Sequence, residues 1–94
     1  MASSKDAFFK FGTWKNSRTV LKLTVFTKEG KPDIWRGTIV SVDESRSFVG
    51  FVDEATRQPF GLDLRDSSFK VGEDLVEVVD PSTGRLVFEK LRVS

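Results

Sequence analysis

The sequence of 94 residues contains no cysteine, no histidine and no tyrosine. Without cysteine the chain can form neither a disulfide framework nor a thiolate metal site. Without histidine it lacks the side chain that most often serves as general acid or base near neutral pH. No apolar run approaches the roughly 20 residues that cross a bilayer, and residues 1–5 lack the basic-then-apolar order of a signal peptide. These absences predict a cytoplasmic protein without a membrane span.

Motifs that carry chemistry are also scarce. The sequence has no Gly-x-Ser-x-Gly element and no glycine-rich phosphate loop of the common spacings. Its three acidic doublets, at residues 43–44, 53–54 and 73–74, each fall at a predicted turn. A hard cation needs several oxygen ligands that converge on one point, whereas acids at turns are ordinarily solvated. The sequence therefore predicts a protein that is not an enzyme, with no cofactor, no metal and no small-molecule substrate.

What the sequence does contain suits a single small domain over residues 1–94. Apolar residues make up 38% of the chain, with nine phenylalanines and two tryptophans. Charge is unevenly distributed, because residues 1–36 carry eight basic and three acidic residues, whereas residues 37–80 carry four basic and ten acidic ones. This asymmetry predicts a dipolar surface if the two segments fold onto different faces, and it averages out if they do not.

Short alternating segments dominate the chain after residue 18. They predict six strands, over residues 20–27, 34–43, 48–52, 59–64, 75–79 and 86–93. Gly37 and Gly50 lie inside strands and predict a bulge or a sharp bend. Turns are predicted at residues 28–33 and at 80–85, where Gly84 can take a left-handed conformation. Residues 66–72 are predicted to be a connection. The pattern predicts a mainly β fold, a small antiparallel barrel of five to six strands that ends in a hairpin over 73–93.

The N-terminal arm, residues 1–18, differs from the rest. Ser4 is a plausible N-cap and Gly12 a plausible end for a short helix. Aromatic and basic residues are interleaved along it. One interpretation is that the aromatic side chains close one mouth of the barrel; the other is that they stack on nucleic-acid bases while the basic ones contact phosphates. In the second interpretation, the nucleic-acid-binding residues are Lys10, Trp14, Lys15, Arg18, Lys22 and Arg46.

Two strands are apolar on both faces, which half-buried strands ordinarily are not. These segments cover residues 34–42 and 48–52. In so small a domain, this indicates either a barrel with an added cover or a subunit interface. The residues predicted to lie at such an interface are Phe26, Trp35, Val40, Phe48 and Phe51.

The order of elements resembles the Sm-like fold, which includes the bacterial Hfq-type proteins. The resemblance covers roughly residues 5–72 and rests on the N-terminal helix, the strand and glycine turn of residues 20–30, and the bent strand Trp35-Arg36-Gly37-Thr38-Ile39-Val40-Ser41-Val42-Asp43. It implies a small β-barrel that assembles through its edge strands and binds RNA. The chain departs from the family where Ser45, Arg46 and Ser47 stand near the position of the family's RNA-contacting asparagine, and the family's second motif, an apolar residue followed by Arg-Gly, is not evident.

A rival resemblance, to the PilZ barrel that binds a cyclic dinucleotide, rests on Asp66-Ser67-Ser68. The glycine that should follow, Gly72, comes one residue late, and no Arg-x-x-x-Arg occurs. The sequence therefore predicts a self-associating, non-enzymatic module that mediates protein assembly. The alternative is an Sm-like protein that binds single-stranded RNA.

Overall fold

A computed structural model describes residues 4–26, 31–81 and 84–91. Half of the turn predicted at residues 28–33, residues 82–83 of the turn predicted at 80–85, and the end of the last predicted strand lie outside these ranges. Within them the chain forms one helix followed by seven strands. The elements are α1 (Ser4–Ser17), β1 (Leu21–Phe26), β2 (Asp33–Asp43), β3 (Phe48–Asp53), β4 (Pro59–Asp63), β5 (Ser68–Val71), β6 (Leu75–Asp80) and β7 (Gly84–Lys90).

All seven strands belong to one antiparallel sheet in the order β4-β3-β2-β1-β7-β6-β5. The sheet thus consists of two meanders, β1–β4 and β5–β7, which are joined where β1 pairs with β7. The mainly β prediction is confirmed. The predicted closure into a barrel is not found, because no ladder joins β4 to β5 and these strands remain the two edges of the sheet.

The strand β5 lies where the sequence predicted only a connection. Its side chains alternate, with Phe69 and Val71 half-buried and Ser68 and Lys70 exposed, and the strand pairs with β6. Four residues are too few for this alternation to be recognised in the sequence. The turn before it is tight, and Asp66 adopts a positive φ of 62° there.

The helix α1 extends beyond the predicted end at Gly12 and finishes at Ser17. The backbone N–H of Thr19 donates to the carbonyl of Trp14 at 3.0 Å, and that of Arg18 donates to the carbonyl of Lys15 at 3.2 Å. Together with the positive φ of 53° at Arg18, these bonds form a Schellman C-cap. Glycine commonly takes this left-handed position, so an arginine there gave no signal in the sequence.

The long strand β2 bends beside β3. Its register shifts between Ile39 and Ser41, so the bulge falls at Val40 rather than at Gly37, where the sequence predicted it. Gly37 has a different role, because a methyl group there would overlap the carbonyl oxygen of Val52 on β3. The predicted left-handed conformation of Gly84 is confirmed, with a φ of 114°.

The aromatic side chains of α1 form much of the core. The ring of Phe11 lies 4.9 Å from that of Phe88 on β7, and the ring of Phe8 lies 5.9 Å from that of Phe69 on β5. Phe9 is the exception, with 77% of its surface exposed. The helix also packs against β2, so it contacts both meanders across one face of the sheet. No helix in the described part of the chain has the length and apolar character that a membrane crossing requires.

Candidate functional site

The six residues predicted to bind nucleic acid do not form one stripe. Trp14 is only 4% exposed and packs in the core, so neither face of its ring is available for a base. Lys10 lies against that ring, with Nζ 5.9 Å from the centroid, and donates a hydrogen bond to the carbonyl of Glu73. Lys10 is thus directed toward the turn between β5 and β6.

The other four predicted residues occupy three places. Lys15 and Arg18 lie together at the C-terminal end of α1, beside residues 38–40 of β2. Lys22 stands opposite Arg36 of β2 and Glu89 of β7. All three lie on the outer face of the sheet, which is the face opposite α1. Arg46 lies in the turn between β2 and β3. Of these four residues, the structure therefore brings together only Lys15 and Arg18.

Some of the predicted interface residues are buried in the core, and others are exposed at the surface. Phe51 is fully buried and cannot contact another subunit in this fold. Trp35 packs against Phe60 with ring centroids 5.5 Å apart, and the half-buried ring of Phe26 lies 4.2 Å beneath the guanidinium of Arg85. Val40 and Phe48 are exposed.

Phe48 lies at the centre of a surface site between two turns of the sheet. In the register of the sheet it stands between Asp43 on β2 and Asp63 on β4. Its ring lies over Gly61, where a methyl group would come within 2.7 Å of the ring. The ring remains 37% exposed. The cavity around it has a volume of about 510 Å³, and we call it the Phe48 pocket; its lining residues are Asp43, Ser45, Arg46, Phe48, Asp63 and Arg65.

Two ion pairs flank the Phe48 ring. Arg65 binds Asp63 through two of its donor atoms, Nη2 at 2.7 Å and Nε at 3.0 Å from Oδ2, and this bonding lowers the pKa of the Asp63 carboxyl. The hydroxyl of Ser45 donates to Asp43 at 2.7 Å and is the main cause of the lowered pKa of Asp43, which also pairs with Arg46. Both carboxylates are therefore ionised at neutral pH and act as fixed hydrogen-bond acceptors.

The two turns that carry these pairs are tied to each other. The backbone N–H of Leu64 donates to the carbonyl of Ser47 at 2.7 Å, and the side chain of Leu64 is buried. Ser47 itself has a positive φ of 50°. The turn after β2 and the turn after β4 thus hold a fixed spacing, which places both ion pairs at the rim of one cavity.

Sequence reasoning identified Phe48 and Arg46 separately and missed Asp63 and Arg65. Their proximity depends on the pairing of β3 with β4, and that register cannot be determined from the composition of either strand. The available signal was the alternation in β4, which directs Asp63 and Gly61 away from the apolar side chains. In the described ranges no group of three or more acidic residues is placed to hold a metal ion.

The chemistry of the Phe48 pocket is that of recognition. An aromatic face stacks on a planar ring, the carboxylates accept hydrogen bonds, and the guanidinium groups donate them. Comparison with family models, with curated proteins and with solved structures finds no match for this chain. The function is therefore argued from the geometry of the site.

Proposed function

We propose that this protein is a non-enzymatic module that binds single-stranded nucleic acid, with one base stacked on Phe48. The observation that supports it most is an exposed aromatic ring between two Asp–Arg pairs at the rim of one cavity. Single-stranded RNA is commonly recognised by stacking unpaired bases on aromatic side chains and bonding to their edges. The Sm-like resemblance of residues 5–72 favours the same class of ligand.

The fixed carboxylates favour a particular kind of base. Asp43 and Asp63 accept hydrogen bonds, so a base that offers N–H donors along its edge fits the pocket better than one that offers only acceptors. Guanine is such a base, because its N1–H and its amino group lie side by side on one edge and can both donate to a carboxylate. Arg46 and Arg65 remain partly exposed and can contact phosphate oxygens while their partners hold them in place.

The test is fluorescence anisotropy with labelled single-stranded RNA of about ten nucleotides, with and without guanine, at two salt concentrations. Phe48→Ala should weaken binding by about 1–3 kcal/mol, the usual contribution of one stacked base. The matched control is Ile34→Ala, which removes an exposed apolar side chain from another part of the outer face and should leave binding unchanged. Absence of binding at low salt, or equal affinity of Phe48→Ala and the parent protein, would overturn the proposal.

Self-association is a second candidate, and a separate surface favours it. On the outer face, Phe26 is in register with Arg85, and Arg85 is in register with Val79; Thr24 stands between Ile34 and Val87. Ile34 is 54% exposed and Val79 is 45% exposed. We define the outer patch as Phe26, Ile34, Val79 and Val87. A second copy of the chain could cover this patch by a two-fold contact, in which Arg85 faces Glu77 of the other copy.

Sedimentation velocity at micromolar concentration tests this second candidate. A dimer should give about twice the monomer mass of 10.6 kDa. Ile34→Glu should return it to the monomer, because a charge would be placed inside an apolar contact. Val40→Glu, at an exposed apolar residue outside the outer patch, is the control. A monomer at all concentrations removes this candidate and leaves the nucleic-acid proposal unaffected.

A further inference from the structure

Two adjoining cavities form a groove beside residues 37–40 of β2. One, of about 440 Å³, is lined by residues from the end of α1 and by residues 38–40 of β2. The other, of about 200 Å³, lies between β2, β3 and the turn that follows β3. Thr38 lines both cavities. We call the combined space the Thr38 groove. It is separate from the Phe48 pocket, whose lining residues it does not share.

Three cationic side chains converge on the Thr38 groove from two parts of the chain. Lys15 and Arg18 come from the end of α1, and Arg57 comes from the turn between β3 and β4. The ion pairs between described residues join Asp43 to Arg46 and Asp63 to Arg65, so none of the three is paired with another residue that the structure describes. The groove therefore carries an excess of positive charge.

Two acidic residues line the smaller cavity, and they differ in how far their carboxylates are free to face the groove. The carboxylate of Asp53 accepts hydrogen bonds from the hydroxyl of Thr56 at 2.7 Å and from backbone N–H groups of its own turn. It is thus directed into the turn. Glu54 is exposed and lowers the positive potential of the groove without removing it.

The backbone supplies a second, independent observation. Arg18 and Arg57 both adopt left-handed conformations, with φ of 53° and 60°, and such positions favour glycine because a side chain there is strained. A cation near the C-terminus of a helix complements the helix dipole, which accounts for Lys15. It does not account for arginine at two glycine-favouring positions that line one groove. Two of the four described non-glycine residues with a positive φ thus line this groove, and backbone strain of this kind clusters at functional sites.

We propose that the Thr38 groove binds a phosphoryl group, held by Lys15, Arg18 and Arg57 with the hydroxyl of Thr38 as a further donor. Arginine recognises phosphate through its planar set of donors. The group has two sources: the backbone of a nucleic acid, or a free phosphorylated small molecule. Along β2, Thr38 and Asp43 both face outward and are separated by roughly 15 Å at the usual strand rise, a distance that two or three nucleotides span.

The first experiment uses pyrophosphate as the probe and follows the backbone amides of the ¹⁵N-labelled protein by NMR. Saturable shifts should appear at Arg18, Thr38 and Arg57. Arg18→Gly and Arg57→Gly should each weaken pyrophosphate binding roughly tenfold, the loss expected for one charge-assisted contact. Both variants should also melt a few degrees higher than the parent protein, because glycine relieves the left-handed strain.

This combination of higher stability and lower affinity separates binding from a purely structural role. Ser47→Gly relieves strain at a positive φ elsewhere and should raise stability without changing pyrophosphate affinity. Lys5→Gln removes one positive charge at the other end of α1 and should change affinity by less than twofold. Glu54→Gln should strengthen binding. Absence of saturable shifts, or unchanged affinity in both glycine variants, would overturn the proposal.

A second arm distinguishes the two sources of the phosphoryl group. If the group belongs to a nucleic-acid backbone, Arg57→Gly should reduce the slope of log affinity for single-stranded RNA against log salt by about 0.7, with base preference unchanged. If the group belongs to a small molecule, RNA binding should be the same in Arg57→Gly and the parent protein while pyrophosphate binding is weakened. Failure of the Phe48→Ala test alone would remove the stacked base and leave the Thr38 groove in place.

Discussion

The Phe48 pocket and the Thr38 groove both contain arginines, but they present them in opposite ways. In the pocket, Arg46 and Arg65 each lie beside an aspartate two or three residues away in the sequence. In the groove, Arg18 and Arg57 belong to no ion pair between described residues. The same side chain therefore contributes an oriented, nearly neutral pair in one region and a net positive charge in the other.

This difference shows what the acidic neighbours contribute. Ion pairs between exposed side chains stabilise a fold by only about 0–1 kcal/mol, so stability is a weak explanation for two such pairs at one rim. Their larger effect is on chemistry, because each carboxylate fixes a guanidinium and adds an acceptor. The pocket is thereby suited to the edge of a planar ring, and the groove to an anion.

Among the substitutions that separate the groove from the pocket, Gly37→Ala should have the largest effect on stability. The added methyl group would overlap the carbonyl of Val52, and forcing β2 away from β3 should cost about 3 kcal/mol. Gly37 lines the groove, so we expect larger amide shifts at Thr38 and Arg57 than at Phe48. Urea unfolding and ¹⁵N spectra measure both effects. A variant as stable as the parent protein would show that β2 and β3 can separate without cost.

Gly12→Ala is the matched substitution, and it should raise the stability of the protein rather than lower it. Gly12 lies inside α1, and a methyl group there would have no atom within 4 Å. Replacing a helical glycine by alanine should stabilise the protein by about 1 kcal/mol. Because α1 carries Lys15 and is capped at Arg18, slower amide exchange is expected at the groove and not at the pocket. Unchanged or reduced stability in urea would contradict an interior helical position for Gly12.

Acid should act on the pocket through its ion-paired carboxylates, whereas the three cations of the groove keep their charge. The pKa of Asp63 is lowered in the folded protein, chiefly by its hydrogen bonds with Arg65. A lowered pKa means that the carboxylate's contribution is complete above the unfolded value, near 3.8, and is lost as the pH falls from there through the folded value. Asp63→Asn should therefore flatten the decline in stability below pH 4, while Lys15→Gln should not. Urea unfolding between pH 7 and pH 3 is the measurement, and parallel curves for Asp63→Asn and the parent protein would contradict it.

Much of the sheet could be predicted because the information is local. Alternation identified six strands, and the turn residues around Gly84 identified the last hairpin. The predicted end of α1 was wrong because Arg18 stands at the cap position where glycine is expected. The strand β5 was missed because its four residues follow a polar segment that is typical of a turn. Whether β4 and β5 meet depends on the twist and bend of the whole sheet, which no single segment encodes.

The sites were harder to predict because they are assembled by register. Phe48 was assigned to an interface and Arg46 to a nucleic-acid surface, and only the pairing of β3 with its neighbours shows that they line one cavity. For Trp14 the sequence left two interpretations open, packing against the strands or stacking on a base, and its position on the buried side of α1 places it in the core. Arg57 was not predicted as a site residue, because an arginine in a polar turn is ordinary until its conformation and its neighbours are known.

The junction between β1 and β7 has a consequence for how the molecule forms. Every other ladder joins strands that follow one another in the chain, whereas this one pairs Leu21 with Lys90. Hairpins between successive strands close short loops quickly, and contacts between distant residues carry a greater entropic cost of closure. We therefore expect the β1–β4 and β5–β7 meanders to appear as early units and the β1–β7 ladder to form last. Phe11, which contacts Phe88 of β7 from α1, would then belong to the late, rate-limiting assembly of the two halves.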